Sequence, residues 1–562
     1  MSNHRERRRM NGDNRVPKVE YDSSGFNEDE VLSRFKLAPN DIGDKVISLS
    51  EDVLLTCDSW SNPKSVVEKL EKAMNDARKR HLVFYDLWHD NTIRDILFLF
   101  GKYRHRCWSS IEFRGCQERH ISAVLECALK MDIVQTVAFS LTSARSNPIS
   151  VSSNSTFDII SRSMKNNQRF ECLIFHSRPI HLIRYESLKK LPIKCLHFLD
   201  GTIFHPDEIP QLAEGLRSNH SLISFSFLGN IQGSNRKNVS YIVDALKSHP
   251  SLKRLVLCLK SAAIDGLYDL PSLLRCQNSK LESLTLSGGF TQTVFIPPTT
   301  FSEGLKGSNL KHLHLKDILL FPSDVEDVAL GLKNNQSIES LSIELGTSNK
   351  SIVTCNKSVD LSPIAFAVQR NQTIQRLGLA GMYTLGLGIC GIAELLSFEK
   401  SKLKNLHLPG VFFEKDSRSN GFLQVFLDGL SQNQCLESLD LSHNTLSNDE
   451  VRKIYDVVST CRSLEHLDLG MNDITSKVLG YFAKHETPNK LAVLRVSSQN
   501  FSFFDMNDKT CQQLIRLLTT NPRLGDVNFN VGSVEWHQSY LANGKMKWHR
   551  KLTSFGRSTV YE

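Results

Sequence analysis

One short phrase, L-x-x-L-x-L, recurs along most of this chain, and such a repeat limits the possible folds more than any other feature of the sequence. It reads LKRLVL, LESLTL, LKHLHL, IESLSI, IQRLGL, LKNLHL, LESLDL, LEHLDL and LAVLRV, beginning at Leu252, Leu281, Leu310, Ile338, Ile374, Leu403, Leu436, Leu464 and Leu491. Successive copies start 27 to 36 residues apart. Apolar residues at the fourth and sixth positions, with one residue between them, have the period of a strand that buries one face. Weaker copies continue the frame at Leu524 downstream and at Leu222, Ile193, Phe170, Val134, Trp108 and Leu82 upstream. The array therefore has about fifteen or sixteen turns.

The segment before each phrase repeats as well. Ten residues ahead stand Val124, Ile160, Leu212, Ile242, Val328, Ile364, Phe426, Ile454 and Leu514. Six residues ahead stand Ala128, Met164, Leu216, Leu246, Leu332, Val368, Leu430, Val458 and Leu518. Two apolar columns four residues apart share one face of a helix. Each unit is thus one strand plus one amphipathic helix. Three residues ahead of the phrase lies a column of Asn167, Asn219, Asn335, Asn371, Asn433 and Asn521. Asn tolerates left-handed backbone, so the column predicts helix C-caps in that conformation. Ser323 with Glu326, and Ser447 with Glu450, have the spacing of capping boxes.

With these columns in place, the chain resembles leucine-rich-repeat proteins of the ribonuclease-inhibitor type, the long-repeat subclass, over about residues 82–530. The resemblance implies an α/β solenoid of about 15 strand-helix repeats. Stacking at about 4.8 Å per strand against about 10 Å per helix bends such an array into a horseshoe, parallel sheet concave and helices convex. Fifteen strands give an inner arc on the order of 70 Å, the scale of a folded protein. The family's Asn at the ninth position of the phrase is matched by Asn230, Asn444 and Asn472; Lys260, Gly289, Ile318, Gly346, Met382, Val411, Gln499 and Gly532 stand there elsewhere. Four segments follow: a charged disordered tail over 1–40, an N-terminal cap over 41–81, the solenoid over 82–530, and a C-terminal cap with a basic tail over 531–562.

Composition narrows the function classes. No run approaches the ~18 apolar residues of a membrane span. The opening MSNHRERRRM is basic and has no apolar stretch, so it reads as lacking a secretory leader, and a cytoplasmic protein is expected. Its Arg cluster reads as a solvated tail or as a nuclear signal. The 13 cysteines carry no paired CxxC spacing, so the sequence offers no structural-zinc signature. Cys172 and Cys195 hold the same strand position in successive turns and are expected side by side and reduced. The net charge of +8 is modest, and the inner face lacks the basic, aromatic-lined stripe of a nucleic-acid binder. Gly386, Gly388 and Gly391 spell GxGxxG in the connection before a helix, but the repeat frame supplies no Rossmann sheet around them. No cofactor is implied, and no catalytic motif set is present.

Function is expected on the inner face and the rim. Fifth-position side chains alternate with the core residues and face into the curve. The polar end of that file is His407, Asp440, Asp468 and Arg495, with Glu437, Glu465 and His466 beside it, and these seven are the candidate partner-binding residues. Inserted segments at 142–157, 346–361 and 413–421 lie on one rim and read as binding loops or as tolerated drift. The main reading is a non-catalytic scaffold that binds a protein partner. Two alternatives are a regulator of a small GTPase, by analogy with the Ran GTPase activators of this repeat class, and a ubiquitin-ligase substrate adaptor. The adaptor reading comes from ISLSEDVLL, which resembles the start of an F-box.

Overall fold

The chain is described by a computed structural model covering residues 52–56, 63–76, 81–85, 90–114, 116, 118–140, 169–176, 185–199, 202–231, 238–258, 269–275, 279–288, 299–318, 320–344, 360–381, 386–411, 419–475, 477–482, 484, 490–498, 526–531, 534–540, 546–552 and 558–561. The tail over 1–40, the loops at 142–157 and most of 346–361 and 413–421, and the column members Ile160, Met164, Asn167, Leu514, Leu518 and Asn521 lie outside these residues.

The described strands build one 20-stranded sheet, plus a pair formed by Ile203–Phe204 and Asn230–Ile231. From Asp52–Thr56 to Asp526–Val531, each large-sheet strand is parallel to the next in the array, and helices join most of them. This is the leucine-rich-repeat solenoid. The phrases pair in register: Leu255 with Leu284, Leu284 with Leu313, and onward to Leu467 with Leu494. One frame needs correction. Leu82 pairs with Ile111, which puts it at the fourth position and Phe84 at the sixth, three residues from the assignment read in the sequence. Three apolar residues in a row, LVF, hide the period there.

The stretch 41–81, expected as a cap, holds a strand-helix unit of its own, Asp52–Thr56 and Pro63–Met74. The array thus begins one coil earlier than residue 82, and the F-box-like segment gives its last residues to the first strand. Beyond Asp526–Val531 the strands Val534–Tyr540, Met546–Leu552 and Ser558–Tyr561 pair antiparallel and end the sheet as a meander.

The helix columns are core. Val124, Leu212, Ile242, Val328, Ile364, Phe426 and Ile454 are fully buried, and their partners four residues on are nearly so. Between neighbouring helices the backbones approach closely. A Cβ on Gly331 would sit 2.6 Å from the Phe301 carbonyl oxygen, and one on Gly429 would sit 2.4 Å from that of Ala393. Both precede their phrase by seven residues, and Ala245 and Ala367 fill the same column. The Gly386–Gly391 run also lies within a helix, Gly386–Ser397, rather than in the connection before it. A Cβ on Gly391 would meet Ser362 Cα at 3.1 Å, so helix packing accounts for that glycine.

The Asn column ends helices, but not by left-handed backbone. Asn219 (φ −87°, ψ 128°), Asn335 (φ −94°, ψ 142°) and Asn371 (φ −81°, ψ 117°) are extended. Their side chains do the work. Asn371 Nδ2 donates to the carbonyls of Leu332 (2.8 Å) and Asn335 (2.7 Å) in the preceding coil. Its Oδ1 accepts from the backbone N–H of Thr373 and Ile374 ahead of the next strand. The residue two on then reaches back: Ser337 Oγ donates to Ser308 and Leu310, and Thr373 Oγ1 to Ile338. Asn219 and Asn335 repeat the clamp, each spanning two coils. A buried amide that satisfies otherwise orphaned carbonyls is a strong reason for Asn at this position.

Of the two expected capping boxes, Ser447–Glu450 forms, with Ser447 Oγ accepting from Glu450 N and the carboxylate accepting from Ser447 N at 2.7 Å. Ser323–Glu326 does not. That helix starts at Pro322, and Asp324 reaches back to Phe321 N at 2.8 Å, because proline fixes the first helical residue one place earlier.

Candidate functional site

The fifth-position residues form one unbroken file across the sheet. Ile174 adjoins His197, then Ser226 and Val256, and the file continues through Thr285, His314, Ser342, Gly378, His407, Asp440 and Asp468 to Arg495. The sequence-derived cluster is therefore contiguous.

Local turn chemistry places its acids. Asp440 Oδ1 accepts from Ser442 N at 2.8 Å, and Asp468 Oδ1 accepts from Gly470 N at 2.9 Å. Each carboxylate folds the strand exit into an Asx turn with one oxygen and offers the other to the inner face. The phrases LDLS and LDLG thus carry Asp for a structural reason as well as a surface one. At the ninth position, buried Asn472 Oδ1 accepts from Asn444 N and Leu446 N, and Asn444 Nδ2 donates to Leu408 O at 2.8 Å. This inter-coil ladder holds the exits of the polar rungs rigidly in line.

The second oxygens are engaged too. Asp440 Oδ2 is 2.5 Å from His407 Nδ1, and Asp468 Oδ2 is 3.5 Å from Arg495 Nη1. Burial works against charge on His407, but the hydrogen bond to Asp440 and the charges of Asp440, Glu344 and Asp468 outweigh it and raise its pKa above the usual imidazole value. Burial also opposes ionisation of Asp440; the His407 bond and the Ser442 amide overcome it, so its pKa falls. Asp468 goes the other way: burial and its neighbour Asp440 raise it. Glu437 is held by Lys404 Nζ at 2.8 Å. Glu465, His466 and Arg495 are exposed.

Sequence reasoning missed one member of this file. Glu344, at the seventh position of its phrase, lies 3.3 Å from His314 Nε2 and accepts from Ser342 Oγ at 2.8 Å. His314 is the main cause that brings its pKa down to about 2. Counting seventh as well as fifth positions would have found it. A His–Asp pair resembles part of a catalytic triad, but acyl transfer also needs a nucleophile within reach of the imidazole. The rung on the far side of His407 is Gly378, which has no side chain to serve.

At the other end of the file the inner face is closed. Cys172, Ile174, Cys195, His197 and Ser226 are all buried, and Cys172 and Cys195 are register partners as expected. The apolar cluster there includes Ala138, Ile174 and Leu199.

No protein-family model and no curated protein matches the chain. Among solved structures, the chain is similar to one described as the Rad7 and Elc1 complex in yeast, at 16% identity over 77% of this chain and 87% of that one, with a TM-score of 0.40. None of the described helices is long and apolar enough to cross a membrane.

Proposed function

We propose that this solenoid is a non-catalytic recognition scaffold that binds a folded protein along the C-terminal half of its inner face. The reading rests on the unbroken file of rungs from His314 to Arg495, whose charges are fixed in place by turns and ion pairs rather than gathered around a cleft. A rigid array of both signs favours a partner of complementary pattern, giving specificity and orientation more than raw affinity. Glu465, His466 and Arg495 are the exposed members available to such a partner, with His407, Glu437, Asp440 and Asp468 behind them.

The test is affinity purification of the tagged full chain from cells, followed by mass spectrometry and measured binding of the principal partner. Glu465→Lys, His466→Glu and Arg495→Glu together spare the Asx turns, so folding is kept. Binding should weaken by about tenfold or more. Undiminished binding would sink the site assignment. Recovery of a small GTPase, or of a ubiquitin-ligase component, would narrow the scaffold to a regulator or an adaptor. Turnover of a substrate by the purified chain would sink the non-catalytic reading. Cytoplasmic residence belongs to the same proposal; removal of Arg5, Arg7, Arg8 and Arg9 tests whether the cluster directs the chain to the nucleus.

A further inference from the structure

The closed end of the inner face places three soft or borderline metal ligands together. Cys172 Sγ, Cys195 Sγ and a ring nitrogen of His197 all lie within 4.8 Å of one another. The sheet explains why. Cys172 and Cys195 are paired across adjacent parallel strands. His197 lies two residues beyond Cys195, so the pleat turns both to the same face. The three are at most 4% exposed, amid Ala138, Ile174 and Leu199. Sequence spacing hides this set, because its ligands come from register and not from a CxxC loop.

We infer that Cys172, Cys195 and His197 form a thiolate–imidazole site for a soft or borderline cation, Zn2+ or Cu+. Two thiolates and one imidazole supply three corners of a tetrahedral zinc centre or a complete trigonal copper(I) centre. Ser226 Oγ lies 2.8 Å from His197 Nδ1. A hydroxyl accepting the Nδ1 proton fixes the tautomer that presents the Nε2 lone pair to a metal, the outer-shell role usual for ligating histidines. Binding releases both thiol protons and leaves two thiolates, whose charge Zn2+ balances in full and Cu+ by half. The ion would tie the strand Cys172–His176 to Cys195–Phe198. Here the intervening helix of the repeat is reduced to the single short 3-10 segment Tyr185–Lys190 among the described residues.

The experiment uses the full chain purified without added chelator. Elemental analysis should find one zinc or copper ion per chain and distinguishes the two metals. After chelator stripping, Co2+ should bind with the thiolate charge-transfer and visible bands of a sulfur-ligated tetrahedral site. Cys172→Ser and His197→Gln should abolish those bands. Ser226→Ala, which leaves all three ligands in place, should weaken Co2+ binding by about 10- to 100-fold. Cys461→Ser, a buried thiol far along the array, should change neither. Should a ligand variant misfold, the Ser226→Ala titration still decides. A chain that holds no metal and shows no Co2+ bands overturns the assignment, as does Co2+ binding unaffected by Ser226→Ala. A Cys172–Cys195 disulfide in freshly purified protein, read as a mass lower by two hydrogens, also overturns it.

Discussion

The two halves of this solenoid solve the same stacking problem with different residues. From His81–Tyr85 to Ser224–Phe227 the sixth position is aromatic: Phe84, Phe113, Phe139, Phe175 and Phe198 stack in sequence at 5.2 to 5.8 Å between ring centroids. Beyond it the position is aliphatic, from Leu257 through Leu441 to Val496. The inner face changes with it, buried around Cys172 and His197 but half-buried or open from Val256 to Arg495 at every rung except Gly378. A continuous backbone sheet is therefore not a continuous surface. The half whose core is aromatic has its inner file closed, and the half whose repeats are most regular leaves its file partly open.

The sharpest way to break this contrast is to delete a ring from the spine. Phe198 meets Phe175, Phe204, Phe225 and Phe227. Phe198→Ala should cost about 4 kcal/mol in urea unfolding and Leu439→Ala about 3 kcal/mol; equal losses would erase the distinction in how the halves are held. The clamps come next. Asn371→Ala strands two buried carbonyls and two amides, for an expected loss of about 2–3 kcal/mol, with hydrogen exchange rising on both flanking coils. Exchange confined to one coil would mean that the bond is local. Gly429→Ala drives a methyl into the Ala393 backbone and should cost about 1–3 kcal/mol without altering the N-terminal half.

The smallest effect is the response to pH, and it belongs to the open half. His407 has a raised folded-state pKa, so its contribution to stability is full below the unfolded value of about 6.5 and is lost as pH rises through the folded value. Glu344, lowered to about 2, contributes above about pH 4.5 and loses its contribution as pH falls toward 2. His407→Gln should flatten the decline in unfolding midpoint as pH rises above about 6.5 and leave the acid limb intact. An unchanged profile would show that the His407–Asp440 pair is energetically silent.

Much of the architecture could be read from the sequence because a strand's period and a helix's period are both local rules repeated many times. The fourth and sixth positions predicted the register from Trp108 to Asp526. Where the pattern thinned, the reading failed. Ser50 stands where the first leucine of the first coil would be, so the strand Asp52–Thr56 was hidden. The Asn column was found but given the wrong mechanism: a cap rule looks along one helix, whereas these amides act on the coil before. The candidate cluster was legible as a file of fifth positions. Its ion pairs were not, since a side chain's partner depends on which way it leans across the pleat. The pairing of Glu344 with His314 was lost for that reason.

One clamp has a further consequence. Asn219-His-Ser221, Asn335-Gln-Ser337 and Asn371-Gln-Thr373 all match the acceptor triplet for N-linked glycans. In each, the amide nitrogen that a sugar would occupy is already spent on carbonyls one coil away, and the Asn is at most 7% exposed. A glycan there and a closed coil exclude each other, so this chain can be decorated at those triplets or wound into its spring, but not both.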